Sequence, residues 1–216
     1  QLPTFGFPRD LPIDATSFEV RLPLEEFASN VRAVGGYGLT ADLLSATVAR
    51  DFGGGLTAHL VARADTLPAE IVTPDSTDTV RVDTLFTIPR GRLIVRIDTL
   101  GARPTNDVKL VAEGIQQSWD HYTATWEMAV DSLTRAEEWT EPGAGPGIYL
   151  GEGTWDSLAE GSDSILISLD SAGVAFLQDP DQPAPGGFRI RMEDVGERIR
   201  VRSVTLEGDA RPSVKP

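Results

Sequence analysis

Residues 116–143 read QQSWDHYTATWEMAVDSLTRAEEWTEPG. Three of the four tryptophans of the chain lie in this stretch. From residue 123 to residue 130, apolar and polar side chains alternate. A period of two is typical of a strand with one buried face, so we predict a half-buried strand whose apolar side is built around Trp126. A Pro-Gly pair at residues 142–143 predicts a turn just after Trp139.

The same alternation recurs along most of the chain, and turn residues separate the alternating segments at short intervals. The segments that we predict as strands are residues 16–22, 43–50, 56–63, 79–88, 92–100, 108–119, 165–170, 173–179, 188–194 and 198–208. Roughly ten strands with little helix predict an all-β fold, an antiparallel β-sandwich that is jelly-roll-like. A break in the alternation at Ser203 predicts a β-bulge in the last of these strands.

Short turn sequences between neighbouring strands predict hairpins, centred on residues 89–91, 171–172 and 195–197. The inward positions of the strands predict the core of the fold. Its expected members are Phe18, Val20, Leu60, Ile94, Val95, Leu110, Trp126, Ile167, Phe188, Ile190, Val201 and Val204.

A tryptophan, a short acidic connection and a Thr-Trp pair that opens a strand together resemble the signature of the DNRLRE domain. That family is an extracellular β-sandwich module of bacteria and archaea, and a turn with Pro-Gly follows its signature. The matching residues are Trp119, Asp120, Thr123, Ala124, Thr125 and Trp126, then Trp139 and Pro142-Gly143. The resemblance extends over residues 80–212. It implies an extracytoplasmic β-sandwich, and some members of the family are polysaccharide-binding modules.

Charge and composition exclude several classes of partner. The chain of 216 residues has 33 acidic and 19 basic side chains, which gives a net charge of −14. A field of that sign repels phosphate backbones, so we predict no nucleic-acid partner. No stretch approaches the roughly 18 apolar residues that a membrane helix needs, so we predict no membrane-spanning segment. The absence of cysteine excludes disulfides, zinc–thiolate sites and a cysteine nucleophile.

The sequence offers no recognisable catalytic set. His59 and His121 are the only histidines and form no metal-binding motif, so we predict no metal, no cofactor and no catalytic residue. The Gly-rich run at residues 143–147 predicts a turn, because no strand-to-helix context surrounds it. Two alternatives stay open, namely a calcium site at Asp179 and Asp181 and a glycosidase pair among carboxylates near the tryptophans. Those carboxylates are Asp120, Glu127, Glu138 and Glu141.

The start of the chain differs from the rest. Three prolines within residues 1–14 prevent a helix and favour extended backbone. We therefore predict an extended N-terminal arm over residues 1–14 and a single β-sandwich domain over residues 15–216. An exposed phenylalanine costs about 1.5–3 kcal/mol relative to a buried one, so we expect the arm to dock on its own domain or on a partner. The apolar side chains expected to make this contact are Leu2, Phe5, Phe7 and Leu11.

The first residue bears on location. Gln1 stands in place of methionine, which a removed signal peptide or a truncated chain would explain. A mature lipoprotein would begin with cysteine, so a simple lipid anchor is disfavoured. Together with the resemblance, this leads us to expect an extracytoplasmic protein of a bacterium, in the periplasm, at the cell surface or secreted.

Two roles follow from these expectations. The first is that of a non-catalytic structural or assembly protein, either a cell-surface or filament subunit or an accessory subunit of a larger periplasmic complex. It would engage a protein partner or a second copy of itself, partly through the arm. The alternative is a carbohydrate-binding module that recognises a polysaccharide through exposed loop aromatics, because flat rings stack on sugar faces. The rings expected to do so are Trp139, Tyr149 and Trp155.

Overall fold

The computed structural model describes residues 44–64, 71–74, 80–83, 86–98, 104, 106–156, 163–209 and 211–212, all of which belong to one compact unit spanning residues 37–216. The predicted arm with Leu2, Phe5, Phe7 and Leu11 lies outside the described residues, and so does the predicted strand with Phe18 and Val20. The boundary between an arm and a single domain therefore stays a prediction.

The described part of the chain is built from short strands and one helix. In chain order the elements are β1 (Ala46–Phe52), β2 (Leu56–Ala58), β3 (Leu60–Arg63), β4 (Ile71–Pro74), β5 (Val80–Asp83), β6 (Phe86–Thr87), β7 (Gly91–Ile97), β8 (Val108–Ile115), β9 (Met128–Asp131), β10 (Ala136–Glu138), β11 (Gly147–Trp155), β12 (Ser164–Leu169), α1 (Ser171–Gln178), β13 (Gly187–Met192), β14 (Glu197–Gly208) and β15 (Arg211–Pro212). Within these described ranges, no helix is long and apolar enough to cross a membrane.

Nine of the strands form one antiparallel sheet, in the order β2–β1–β14–β7–β12–β11–β8–β13–β3. The sheet curls until it is nearly closed into a barrel. Hydrogen bonds near its two edges hold the curl, since the Gly196 N–H donates to the Arg50 carbonyl at 2.7 Å and the Arg50 guanidinium donates to the Glu193 carbonyl. The other described strands pair as β4–β5, β6–β15 and β9–β10. The all-β antiparallel fold that the alternation predicts is confirmed.

The inner face of the curled sheet forms the main core. Its most deeply buried side chains include Val48, Leu93, Val95, Leu110, Leu150, Trp155, Ile165, Ile167, Ile190 and Ile199. Of the predicted core residues, those that are buried are Leu60, Val95, Leu110, Ile167, Phe188, Ile190 and Val201. Val204 is partly buried against the same core. Ile94 is only half-buried, because the pleat of β7 turns the neighbouring Leu93 and Val95 inward.

The predicted strand at residues 173–179 is wrong, because this segment forms α1. Asp170 caps the N-terminus of the helix, and its Oδ1 accepts the Gly173 N–H at 2.8 Å. The helix packs on β8, β11 and β12, and Phe176 lies so close to Gly114 that a Cβ built there would be 2.1 Å from the ring. A short apolar run fits either a buried strand or a helix, so alternation alone could not separate them.

The three predicted hairpins are also wrong within the described residues. β12 leads into α1, β6 pairs with β15, and β14 pairs with β1 and β7 instead of β13. The chain between β13 and β14 crosses the gap where the barrel nearly closes. The predicted bulge at Ser203 is confirmed, because the β14–β7 register shifts between Val201 and Ser203.

Candidate functional site

The segment between β8 and β11 builds a second, smaller core together with the end of β8 and the loop before β13. Its buried members are Ile115, Trp119, Ala129, Trp139, Ala144 and Ala184. Trp139 is 5% exposed, and its Nε1–H donates to the Thr125 carbonyl at 3.0 Å. The expectation of an exposed Trp139 is therefore wrong, because the chain that precedes β9 folds back onto the indole.

Trp126 lies at the tip of a turn and not in a strand. The Thr125 N–H donates to the Met128 carbonyl at 2.9 Å, and the Met128 N–H donates to the Thr125 hydroxyl at 3.1 Å. A threonine side chain that bonds to nearby backbone offers the chain an alternative to a strand ladder. The prediction of a strand over residues 123–130 is consequently wrong for its first half, and β9 begins only at Met128.

The ring of Trp126 is held in place but remains accessible. It is 41% exposed, so its predicted place in the core is wrong. Its carbonyl accepts the Gly143 N–H at 2.7 Å, and its ring packs so closely on Gly143 that a Cβ built there would lie 2.8 Å from Cη2. The imidazole of His59 lies 4.9 Å away between ring centroids, tilted by 56°. Trp126 is therefore an exposed ring with a fixed backing.

Arg189 fixes the loop that backs Trp126. Its Nη1 donates to the Gly143 carbonyl at 2.7 Å and to the Gly145 carbonyl at 2.5 Å. Gly143, Ala144 and Gly145 have φ angles of 81°, 81° and 68°, in the left-handed region that favours glycine. Ala144 is held there by burial of its methyl group in the second core. The turn predicted for this Gly-rich run is confirmed.

A carboxylate between two arginines completes the polar cluster on the outer face of β8 and β13. Arg189 contacts Glu113 Oε2 through Nε at 2.7 Å and Nη2 at 2.6 Å, while Arg191 Nε contacts Oε1 at 2.9 Å. Burial raises the pKa of Glu113, but hydrogen bonds from Arg191 and Arg189 outweigh it and hold that pKa below its ordinary value. Glu113 is therefore an anion whose two oxygens are both occupied.

His59 reaches the same loop from the junction of β2 and β3. Its Nδ1 lies 3.0 Å from the Gly143 carbonyl, and because a carbonyl only accepts, Nδ1 carries the proton and Nε2 is left as an acceptor. Burial lowers the pKa of His59, and the charges of Arg189 and Arg191 add to this, although the Gly143 bond and Glu113 act the other way. The imidazole is therefore neutral at pH 7.

Tyr149 is 57% exposed, so the expectation of an exposed ring is confirmed for this residue. The β8–β11 register shifts between Tyr149 and Gly151, which makes Leu150 the extra residue of a bulge. The bulge turns Tyr149 and Glu152 to one outer face, although a spacing of three in a regular strand would put them on opposite faces. Burial and the charge of Glu152 raise the pKa of Tyr149, and Glu152 also pairs with Lys109 at 2.8 Å.

Trp155 does not belong to an exposed row. It ends β11, is 1% exposed and forms part of the main core. The expected sugar-binding set of Trp139, Tyr149 and Trp155 therefore keeps only Tyr149 at the surface. The exposed tryptophan of the second-core region is Trp126, which the sequence assigned to the interior.

The acidic candidates lie on turns or at the surface. Asp120 accepts the N–H groups of Tyr122 and Thr123 at 2.8 and 3.1 Å, and these bonds hold its pKa below the ordinary value. Glu127, Glu138 and Glu141 are exposed. A glycosidase acid needs a raised pKa, which Asp120 does not have.

The candidate calcium loop is held by its own hydrogen bonds. Asp179 accepts the Asp181 N–H at 3.0 Å and the Gln182 amide at 2.8 Å. Across the described residues, no group of three or more histidine and acidic side chains is placed to hold a metal ion.

An open groove of about 740 Å³ lies elsewhere on the large sheet, at the start of β7 and the end of β14. Its lining includes Arg90, Arg92, Ser168, Asp170, Glu207 and Asp209. Arg92 pairs with Glu207 at 2.6 Å, and Asp170 caps α1. The groove offers no aromatic ring, so the surface around Trp126 is the stronger candidate for recognition.

Comparison with known protein families, with curated proteins and with solved structures finds no match to this chain. The resemblance to the DNRLRE domain stays a prediction.

Sequence reasoning missed the contact between His59 and the loop at residues 143–145. The two partners are 84 positions apart, and only the curl of the sheet brings them together. Two local signals were present, namely a glycine on each side of Ala144 and a threonine directly before Trp126. Both favour turns, and together they would have placed Trp126 on a loop.

Proposed function

We propose that this chain is a non-catalytic, extracytoplasmic binding module that recognises a glycan through the ring of Trp126. The observation that carries the proposal is that this tryptophan is 41% exposed while Gly143 and His59 hold it from behind. A large ring that is already ordered loses little entropy when a ligand stacks on it. Sugar rings present flat apolar faces that fit such a surface, with hydroxyl groups around the edge.

The groups beside the ring support binding more than catalysis. His59 bonds the Gly143 carbonyl through Nδ1 and packs on the Trp126 ring, so it supports the ring and the loop behind it. Glu113 has both oxygens engaged by arginines, and its lowered pKa does not suit a general acid. Arg189 donates its hydrogen bonds to Glu113 and to the loop carbonyls. The cluster therefore serves to position the loop behind Trp126.

Replacing Trp126 by alanine should abolish most glycan retention while the fold persists. Stacking of a planar ligand on an aromatic side chain is worth about 1–3 kcal/mol, which corresponds to a loss of roughly 5- to 150-fold in affinity. Affinity electrophoresis in gels that contain soluble polysaccharides measures this loss, and circular dichroism checks the fold. Leu133→Ala removes another exposed apolar side chain in the same segment and should leave retention unchanged. Equal retention of the Trp126→Ala variant and the wild type would remove the basis of the proposal.

The assembly role is a second proposal, and the composition of residues 1–14 favours it. Five apolar side chains, including Phe5 and Phe7, share this span with three prolines. An extended terminal segment of this kind can fill a groove or add to a sheet edge of a partner or a second copy. The apolar side chains that would make the contact are Leu2, Phe5, Phe7 and Leu11.

Deleting residues 1–13 should leave the melting temperature unchanged and abolish self-association or partner binding if the arm docks on another molecule. Light scattering and differential scanning calorimetry give the two readouts. A variant that loses thermal stability as a monomer would instead indicate an arm docked on its own domain. No change in either readout would contradict both docking modes.

A further inference from the structure

We propose that the surface around Trp126 selects glycans that carry no carboxylate or sulfate groups, so that its ligand is an uncharged polysaccharide. This inference rests on the proposed glycan recognition and adds the chemical class of the ligand. It is carried by the charges that the fold places beside the exposed ring.

Three exposed glutamates lie on backbone segments that hydrogen bonds tie to Trp126 and its neighbour. Glu127 is its neighbour at the tip of the turn, and the Glu127 carbonyl accepts the Trp139 N–H at 3.0 Å, which brings the adjoining Glu138 to the same place. The Trp126 carbonyl accepts the Gly143 N–H at 2.7 Å, and Glu141 lies two residues before that glycine. The three side chains are exposed, so their charges face the solution from which a ligand arrives.

The nearby cations offset only part of these charges. Arg191 is paired with Glu113 and Glu193, and only Arg63, over the Trp119 ring, adds an exposed cation beside the described segment. Arg189 is 11% exposed and bonded to Glu113 and to two loop carbonyls. Arg135 pairs with Glu137 at 2.7 Å. Across residues 117–146 there are six carboxylates and one arginine. The surface around Trp126 is therefore anionic, and a ligand with its own carboxylates would be repelled.

The size of this discrimination follows from the spacing of the charges. Each carboxylate within a Debye length of a bound uronate repels it, and three of them together should weaken binding several-fold, up to about tenfold, at low salt. Neutral sugars feel no such repulsion, since stacking and hydroxyl bonds do not depend on net charge. A polyamine glycan would gain attraction instead. The preference should shrink as salt rises, because exposed charges are screened.

The experiment compares three classes of soluble polymer by affinity electrophoresis at low and at physiological salt. Hydroxyethylcellulose, xylan and galactomannan are uncharged, alginate and polygalacturonate carry carboxylates, and glycol chitosan carries amines. We expect at least one uncharged polymer to retain the wild type several-fold, up to about tenfold, more strongly than either polyuronate. Retention by glycol chitosan is taken as binding at Trp126 only where Trp126→Ala reduces it. A chain of net charge −14 binds a polycation even without a specific site.

The triple variant Glu127→Gln/Glu138→Gln/Glu141→Gln should bind polyuronates up to tenfold better than the wild type and uncharged polymers equally well. The matched control is Asp51→Asn/Asp156→Asn/Asp181→Asn, which removes three exposed carboxylates elsewhere and should change neither. Polyuronate retention as strong as that of any uncharged polymer overturns the inference and leaves glycan recognition standing. A triple variant that behaves like the control also overturns it. If no polymer retains the wild type, glycan recognition itself fails, and the inference fails with it.

Discussion

Replacing Trp155 by alanine should lower the free energy of unfolding by about 3–5 kcal/mol, the range for truncating a large aromatic side chain in a core. The indole is 1% exposed and lies among the side chains of the main core at the end of β11. The strands around it are tied into one sheet, so they cannot collapse into the space that the ring leaves. Since whole domains are stable by only about 5–15 kcal/mol, the loss takes a large share of the total. Urea denaturation followed by circular dichroism measures it.

Trp126→Ala is the matched control, because it deletes the same atoms from a ring that is 41% exposed. We expect it to cost less, about 1–2 kcal/mol, since two-fifths of that residue is already exposed to water in the folded chain. If Trp155→Ala does not fold, Trp155→Phe should still fold and lose about 1–2 kcal/mol. Were Trp155→Ala as stable as the wild type while retention of glycans fell, Trp155 would belong to the glycan-binding surface and not to the core.

Alternation predicted the strands of the main sheet where one face of a regular strand is buried. In β12, buried and exposed residues alternate strictly from Ile165 to Leu169. The alternation of burial is the one that the sequence pattern predicts. β14 shows the same dependence, because the break in its pattern at Ser203 marks the point where the register with β7 shifts. In such strands the sequence predicts the fold directly, since an apolar side chain lies on the buried face and a polar one on the exposed face.

The errors come from segments whose pattern has more than one physical solution. The period of two around Trp126 fits a strand, yet the hydroxyl of Thr125 bonds the Met128 N–H and closes a turn instead. The apolar run that forms α1 is too short for its period to decide, and the capping carboxylate of Asp170 was the signal that separated helix from strand. Local side-chain bonds, which alternation ignores, settled both cases.

The candidate site was predictable only in part. Tyr149 was expected at the surface and lies there. It shares a face with Glu152 only because of the bulge at Leu150, and the residue types around Leu150 do not predict a bulge. The contacts of His59 and Arg189 with the Gly143 carbonyl join residues 84 and 46 positions apart. Such pairs follow from strand order, and the predicted hairpins gave the wrong order.

Gly151 directly follows the bulged Leu150, and its replacement by alanine should destabilise the fold by about 3 kcal/mol or more, the upper part of the range for overpacking. A Cβ built on Gly151 lies 2.0 Å from the Ser168 carbonyl oxygen and 3.0 Å from its carbon. These are backbone atoms of β12, which is itself paired along β7, so they cannot rotate away as a side chain would. The β11–β12 pairing must open to admit the methyl group. Thermal and urea denaturation measure the loss.

Gly53→Ala separates this clash from the general cost of removing a glycine. Nothing lies within 4 Å of a Cβ built on Gly53, but its φ of 54° is left-handed, so alanine should cost about 1 kcal/mol there through backbone strain alone. A Gly151→Ala variant that loses no more than this would mean that β12 moves aside freely.

The same substitution should also change the surroundings of Tyr149, because the bulge next to Gly151 turns Tyr149 outward beside Glu152. In a folded Gly151→Ala variant the pKa of Tyr149 should therefore fall back toward its ordinary value, which an ultraviolet titration of the phenol detects, while Gly53→Ala should leave that titration unchanged.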